Sequence, residues 1–301
     1  SEMCIRDRMW IQGRVYWRRP DVLIFINGLP MVFVELKNSI VKVEEAYNDN
    51  LKNYLRDIPN LFAFNQICVL SNGLETRLGA FNATYNHFFE WLKVDSEKER
   101  PDRQALKEAG TVGESSVRYF IDGLLQKGRL IDYIENFIMF RNQKNKIIAK
   151  NHQYFGVNNL MESVKNRAEL QGKLGVFWHT QGSGKSFSMV FFARKVRRKI
   201  PGNFTFLIIT DREDLDDQIH KNFVKTEVIG QKEECQPKNG KQLRDYLQTN
   251  KSFIFTLIHK FRYDKGKKYP VLSTRDDIIV LVDEAHRTQY KDLAENMRTA
   301  L

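Results

Sequence analysis

Asp21 and Glu35 stand at the ends of two short apolar runs, and Lys37 follows Glu35 by two positions. Carboxylates of this kind hold Mg²⁺. A lysine on the same strand face would position a hydrolytic water and offset charge on a phosphate. A second set is His179-Thr180-Gln181-Gly182-Ser183-Gly184-Lys185-Ser186. Its glycines let backbone N–H groups close round phosphate oxygens, Lys185 neutralises the β- and γ-phosphates, and the Ser186 hydroxyl can ligate Mg²⁺. His179 occupies the place where the strict P-loop pattern has its first glycine. Much further along, the run Ile278 to Val282 leads straight into Asp283-Glu284-Ala285-His286. Asp283 would hold Mg²⁺ through water, and Glu284 would orient and deprotonate the attacking water.

The elements that must position these residues follow from patterning. Val22 to Ile26 and Met31 to Leu36 are β-branched and aromatic runs separated by Asn27-Gly28-Leu29-Pro30, which predicts a hairpin. Such a hairpin brings Asp21 and Glu35 to one end. Glu44 to Arg56 reads as a helix with Ala46, Leu51, Tyr54 and Leu55 inward, ended by Ile58-Pro59. Ile67 to Leu70 is a strand closed by Ser71-Asn72-Gly73, Val94 to Gly113 a charged surface loop, and Val117 to Phe140 helical. Arg141 to Lys150 is basic enough to mark a domain junction. Beyond it, Gly175 to His179, Phe204 to Thr210, Phe253 to Ile258 and Ile278 to Val282 alternate with helix-length segments, implying a parallel α/β sheet.

Composition bounds the function. The chain has 301 residues with 48 Lys and Arg against 37 Asp and Glu, a formal charge of +11. From Asn151 onward 26 basic residues face 18 acidic ones, so most of the excess lies in the second half. That field suits a polyanion such as nucleic acid, and equally a plain basic surface. No apolar run approaches the roughly 18 residues of a membrane-spanning helix, so no membrane role is expected. Cys4, Cys68 and Cys235 lie far apart with no C-x-x-C pair, which argues against a disulfide scaffold or zinc ribbon and for a cytoplasmic protein. Trp10, Trp17, Trp91 and Trp178 are expected in cores, His87 and His152 lack metal-ligand companions, and Lys265 to Lys268 reads as a solvated loop.

The segment from about Lys150 to Tyr290 resembles the superfamily 2 helicases and translocases, whose DEAH-type box matches Asp283 to His286. The resemblance implies that Gln153 reads adenine. It also places Thr210, Arg212, Thr256 and Lys260 as candidate backbone contacts along a nucleic-acid track, although each could equally be an ordinary strand-end or surface residue. Asp21 with Glu35-Leu36-Lys37 is the PD-(D/E)xK arrangement, and with Arg18-Arg19-Pro20, Asn27-Gly28-Leu29-Pro30 and Ser71-Asn72-Gly73 ahead of the P-loop it resembles the motor subunit of type I restriction enzymes. In that family a Q-x-x-x-Y helix follows the E-x-K; here Tyr54 fits and Asn50 takes the Gln position. The resemblance implies an α/β chain: an unassigned segment 1–9, a PD-(D/E)xK endonuclease-like domain 10–145, and a RecA-like parallel-sheet lobe 146–301.

The implied activity is ATP-dependent translocation of double-stranded DNA coupled to Mg²⁺-dependent cleavage, in a complex with methyltransferase and specificity subunits. The family's second RecA-like lobe, with its arginine finger, has no counterpart before Leu301, so this polypeptide is expected to be truncated at both ends. It should bind ATP, hydrolyse it poorly, and not translocate alone. Two rivals stay open. One is a repair or remodelling ATPase without nuclease activity, in which Glu35→Ala changes neither Mg²⁺ affinity nor cleavage. The other is a non-enzymatic DNA-binding assembly fragment, which would ignore Lys185→Ala.

Overall fold

Val22–Ile26 (β4) and Leu29–Leu36 (β5) pair antiparallel, and the chain reverses through Asn27 and Gly28 at φ 50° and 80°. Two successive left-handed residues match the twist of the strands they join, which is why Asn-Gly stands there. This hairpin is the centre of a six-stranded sheet ordered β1-β4-β5-β6-β7-β8, whose other members are Met3–Asp7 (β1), Ile67–Ser71 (β6), Thr76–Gly79 (β7) and Phe89–Glu90 (β8). All its ladders are antiparallel except β5 with β6. A parallel pair needs a crossover, and a helical segment supplies it: Val43–Glu45 (α1), a π-helical stretch Ala46–Leu51, and Lys52–Asp57 (α2). Val43, Ala46, Leu51 and Tyr54 pack against Leu23, Phe33, Cys68 and Leu70 beneath it. Ile11–Gln12 (β2) and Trp17–Arg18 (β3) form a separate small hairpin.

The computed structural model describes residues 2–99, 115–180, 182–261, 270–283 and 291–301. Much of the charged loop expected over 94–113 and the lysine run 265–268 lie outside them. The chain divides into two units, residues 1–159 and 160–301. In the first, the stretch expected to be one helix is two, Val117–Gly123 (α3) and Lys127–Asn136 (α4), followed by a strand, Ile138–Arg141 (β9). The basic segment expected as a junction carries Asn145–Ile148 (β10), paired antiparallel with β9. It is fastened to the sheet domain by Lys146, whose Nζ donates to the Asn65 carbonyl and lies over the Phe81 ring. Of the basic residues in that segment only Lys146 is buried; Lys144 and Lys150 are exposed.

Asn151–Lys165 (α5) runs across the division between the units. The second unit has a three-stranded parallel sheet ordered β12-β11-β13, from Phe253–Leu257 (β12), Thr205–Thr210 (β11) and Ile278–Val282 (β13). Lys185–Lys199 (α6), Glu213–Lys225 (α7), Gly240–Gln248 (α8) and Lys291–Ala300 (α9) complete it. The strand expected over Gly175 to His179 forms no ladder among the described residues, and Val176 and Trp178 are exposed. Apolar composition alone supplies no partner edge. Of the four tryptophans expected in cores, Trp91 is fully enclosed against Tyr133 and Tyr154, whereas Trp10, Trp17 and Trp178 are exposed. No helix of the described residues is long and apolar enough to cross a membrane.

Candidate catalytic and nucleotide sites

The register of the β4–β5 hairpin, Val22 opposite Val34, sets Asp21 across from Glu35 at one end of the sheet. The Leu36 N–H donates to Asp21 Oδ2 at 2.8 Å, which fixes the first carboxylate to the second strand. Glu35 is 2% exposed, beside the buried Val34 of β5 and paired with the buried Leu70 of β6. Its Oε1 accepts from Asn50 Nδ2, and its Oε2 is enclosed with no hydrogen-bond partner in good geometry among the described residues. The Lys37 N–H donates to the Ser71 carbonyl at 2.7 Å, so strand alternation continues past Leu36 and puts Lys37 on the Glu35 face. The structure thus gathers Asp21, Glu35 and Lys37, and adds Asn50 and Tyr54 from the crossover helix.

Burial pushes the Glu35 carboxyl up to about 8, and the Asp21 carboxylate adds to the shift; Lys37, the Asp21 N–H and the Tyr54 hydroxyl only partly oppose it. Two facing carboxyls in this enclosed pocket ionise together only when positive charge beyond that of Lys37 compensates them. A divalent cation would supply that compensation. Mg²⁺ is commonly held by one or two carboxylates with water completing the shell, so the pair fits it although no group of three His, Cys, Asp or Glu gathers among the described residues.

The π-helical turn is what lets Asn50 reach. Asn is one methylene shorter than Gln, and the extra residue per turn of the π stretch shifts the helix backbone locally, with the Asn50 amide bonded to Glu35. The Asn48-Asp49-Asn50 run of weak helix formers is the only sequence signal for this turn, and it does not specify the irregularity. Sequence reasoning also missed Asp57. Its carboxylate accepts from Arg18 Nε at 2.7 Å and Arg56 Nε at 2.7 Å, and Arg56 first, then Arg18, hold it down at about 2 against the effect of burial.

In the second unit the P-loop region has Gly182 at φ 77° and Gly184 at φ 90°, both left-handed conformations open to glycine. The Ser183 N–H donates to the Thr180 carbonyl at 3.2 Å, closing the turn. Gly184 is the N-cap of α6 and no side chain caps that end, so Lys185 and Ser186 open the helix where its dipole favours an anion. Asp283 stands at the C-terminal end of β13, its N–H donating to the Ile209 carbonyl at 2.9 Å. Gln181, Glu284 and His286 lie outside the described residues.

The remaining expected residues are spread more widely. Gln153 is buried on the first turn of α5, and its Oε1 accepts from the Lys150 N–H at 2.9 Å, half of a capping box. Arg212 is exposed just beyond β11, whereas Thr210 beside it is enclosed. Thr256 is wholly enclosed within β12, so as folded here it supports the sheet and presents no contact surface. Lys260 Nζ donates to the Pro237 carbonyl at 2.5 Å.

Two family models match different parts of the chain. Residues 7–87 match the family model of the type I restriction enzyme R protein N terminus, and residues 152–301 that of the SWI2/SNF2 ATPase. The type I restriction enzyme HindI endonuclease subunit of Haemophilus influenzae is 36% identical over 286 residues, covering 91% of this chain and 26% of that protein. The MjaIXP endonuclease subunit of Methanocaldococcus jannaschii is 34% identical over 95% of this chain and 28% of its own length. The type I restriction enzyme SsaAORF53P endonuclease subunit of Staphylococcus saprophyticus is 28% identical over 94% of this chain and 29% of its own. The chain therefore spans about a quarter of the length of these relatives. With the carboxylate pair lying inside the first match and the glycine-rich turn inside the second, the chain belongs to the endonuclease-subunit family of type I restriction enzymes.

Proposed function

We propose that this chain carries the DNA-cleaving centre and the first motor lobe of a type I restriction subunit, a PD-(D/E)xK domain over residues 10–145 and a RecA-like lobe over 146–301. The observation that carries the reading is Glu35: buried, facing Asp21, unsatisfied at Oε2, and followed on the same strand face by Lys37. Asp21 and Glu35 would hold Mg²⁺, which when bound stabilises charge on the phosphate under attack. Lys37 positions the hydrolytic water and offsets the remaining phosphate charge. Asn50 fixes the Glu35 carboxylate so that its other oxygen stays turned to the cation.

In the second unit, Thr180 and Gly182 to Ser186 cradle the ATP phosphates, with Ser186 and Asp283 toward their Mg²⁺ and Glu284 orienting water. Gln153 reads the adenine, and Arg212 and Lys260 contact the DNA backbone while Thr210 and Thr256 shape the track. The whole protein would draw double-stranded DNA past methyltransferase and specificity subunits in the cytoplasm.

Titration calorimetry with Mg²⁺, and separately with a non-hydrolysable ATP analogue in Mg²⁺, tests both halves. Glu35→Ala is expected to abolish saturable Mg²⁺ binding at the carboxylate site and leave analogue binding intact; Lys185→Ala is expected to do the converse. Undiminished Mg²⁺ affinity in Glu35→Ala would leave a motor without a nuclease, and analogue binding indifferent to Lys185→Ala would sink the motor reading.

A further inference from the structure

The segment from Arg8 to Pro20 holds four arginines and no acid, and it leads directly into Asp21. It folds as the small β2–β3 hairpin, and three of its aromatic side chains stand largely in solvent: Trp10 57% exposed, Tyr16 55% and Trp17 56%. Large aromatic groups this exposed are uncommon on a surface without a partner. Arg19 lies over the Trp10 ring at 5.2 Å and Arg18 over Tyr16 at 5.7 Å, so guanidinium and aromatic faces alternate.

The hairpin is fixed in place. Gly13 sits so close to the crossover helix that a Cβ there would meet the Asp57 carbonyl oxygen at 2.0 Å, and Arg18 is bonded to the Asp57 carboxylate. The Arg8 N–H donates to the Asp21 carbonyl at 2.8 Å, and the Tyr54 hydroxyl to the Arg19 carbonyl at 3.3 Å. The same buried Tyr54 neighbours Glu35, so the hairpin is tied to the carboxylate site through one side chain. Arg14 and Arg19 are exposed and no carboxylate pairs with either among the described residues, which leaves their charge available to a polyanion.

We propose that this hairpin is a stacking platform for unpaired bases of the DNA strand beside the phosphate that Asp21 and Glu35 address, with Trp10, Tyr16 and Trp17 supplying the ring faces and Arg14 and Arg19 the backbone contacts. Aromatic rings stack on any base, so the platform holds nucleic acid near the cut without selecting sequence. This rests on the nuclease reading of the adjacent site.

The test measures binding of the 301-residue chain, in a Glu35→Gln background that spares the probe, to DNA with an unpaired gap carrying 2-aminopurine and to the same sequence fully paired. Trp10→Ala with Trp17→Ala is expected to weaken gapped-DNA binding about tenfold or more and abolish the 2-aminopurine fluorescence change, with a much smaller effect on paired duplex. The double Phe variant, which keeps the ring faces, should bind like the parent. Unchanged gapped-DNA affinity in a folded Ala variant, or equal loss on gapped and paired DNA, would overturn the proposal. Altered self-association with intact DNA affinity would assign the face to a second copy and overturn it too. Calorimetric Mg²⁺ binding by the unsubstituted chain reports on the nuclease reading separately, so a failure there is distinguishable from a failure of the platform.

Discussion

An acid whose folded value lies above its unfolded one keeps its proton in the fold after the open chain has lost it. Glu35 is in this position, raised from 4.5 to about 8 by burial and by Asp21. Across that window the unfolded state binds fewer protons, so stability falls as pH rises and the full cost is present only above pH 8. Urea unfolding without metal is expected to show a decline of about 2–4 kcal/mol between pH 5 and 8. Glu35→Gln should flatten it, and equal slopes in the two proteins would mean that Glu35 titrates normally. Lys146 acts with the opposite sign. Burial lowers it from 10.5 to about 8, so its contribution rises with pH above 8, and the comparison belongs below that value.

At the scale of elements, the crossover between β5 and β6 has two duties. Its inward residues, Ala46, Leu51 and Tyr54, close the core over Phe33 and Leu70, and its π-helical turn delivers Asn50 to Glu35. Removing the amide leaves a second oxygen of a buried carboxylate unsatisfied without disturbing the apolar face. Asn50→Ala is therefore expected to lower Mg²⁺ affinity or cleavage about 10–100-fold, the range for a group that orients a metal ligand. Urea unfolding should still show a folded protein. A variant with wild-type metal affinity would reduce Asn50 to a helix residue that happens to lie near.

For the whole molecule, charge and division into units are the governing features. A formal charge of +11, with its excess in the second half, would make the proposed DNA association depend on release of counterions. DNA affinity measured by anisotropy is expected to fall at least about tenfold between 50 and 200 mM salt. A flat salt profile would mean that the basic residues are paired within the fold, as Arg18 is with Asp57, and not offered to a polyanion.

The β4–β5 hairpin, the parallel strands β11, β12 and β13, and the placing of Asp21 opposite Glu35 were legible in the sequence, because strand patterning and turn chemistry act over a few residues. Asn27-Gly28 sets a turn, the turn sets a register, and the register sets two carboxylates opposite each other. What acts between distant segments was not legible. Whether an apolar run finds an edge to pair with decided against a ladder for 175–179, and whether a tryptophan meets a core decided for Trp91 and against Trp10 and Trp17. The reach of Asn50 to Glu35 depends on a helical irregularity that only packing against the sheet selects, and the raised pKa of Glu35 depends on enclosure by strands far away in the chain. Residue types and local spacing determined which candidate groups stand on which elements; burial and long-range pairing, which depend on the whole fold, decided which of those groups meet and which are enclosed.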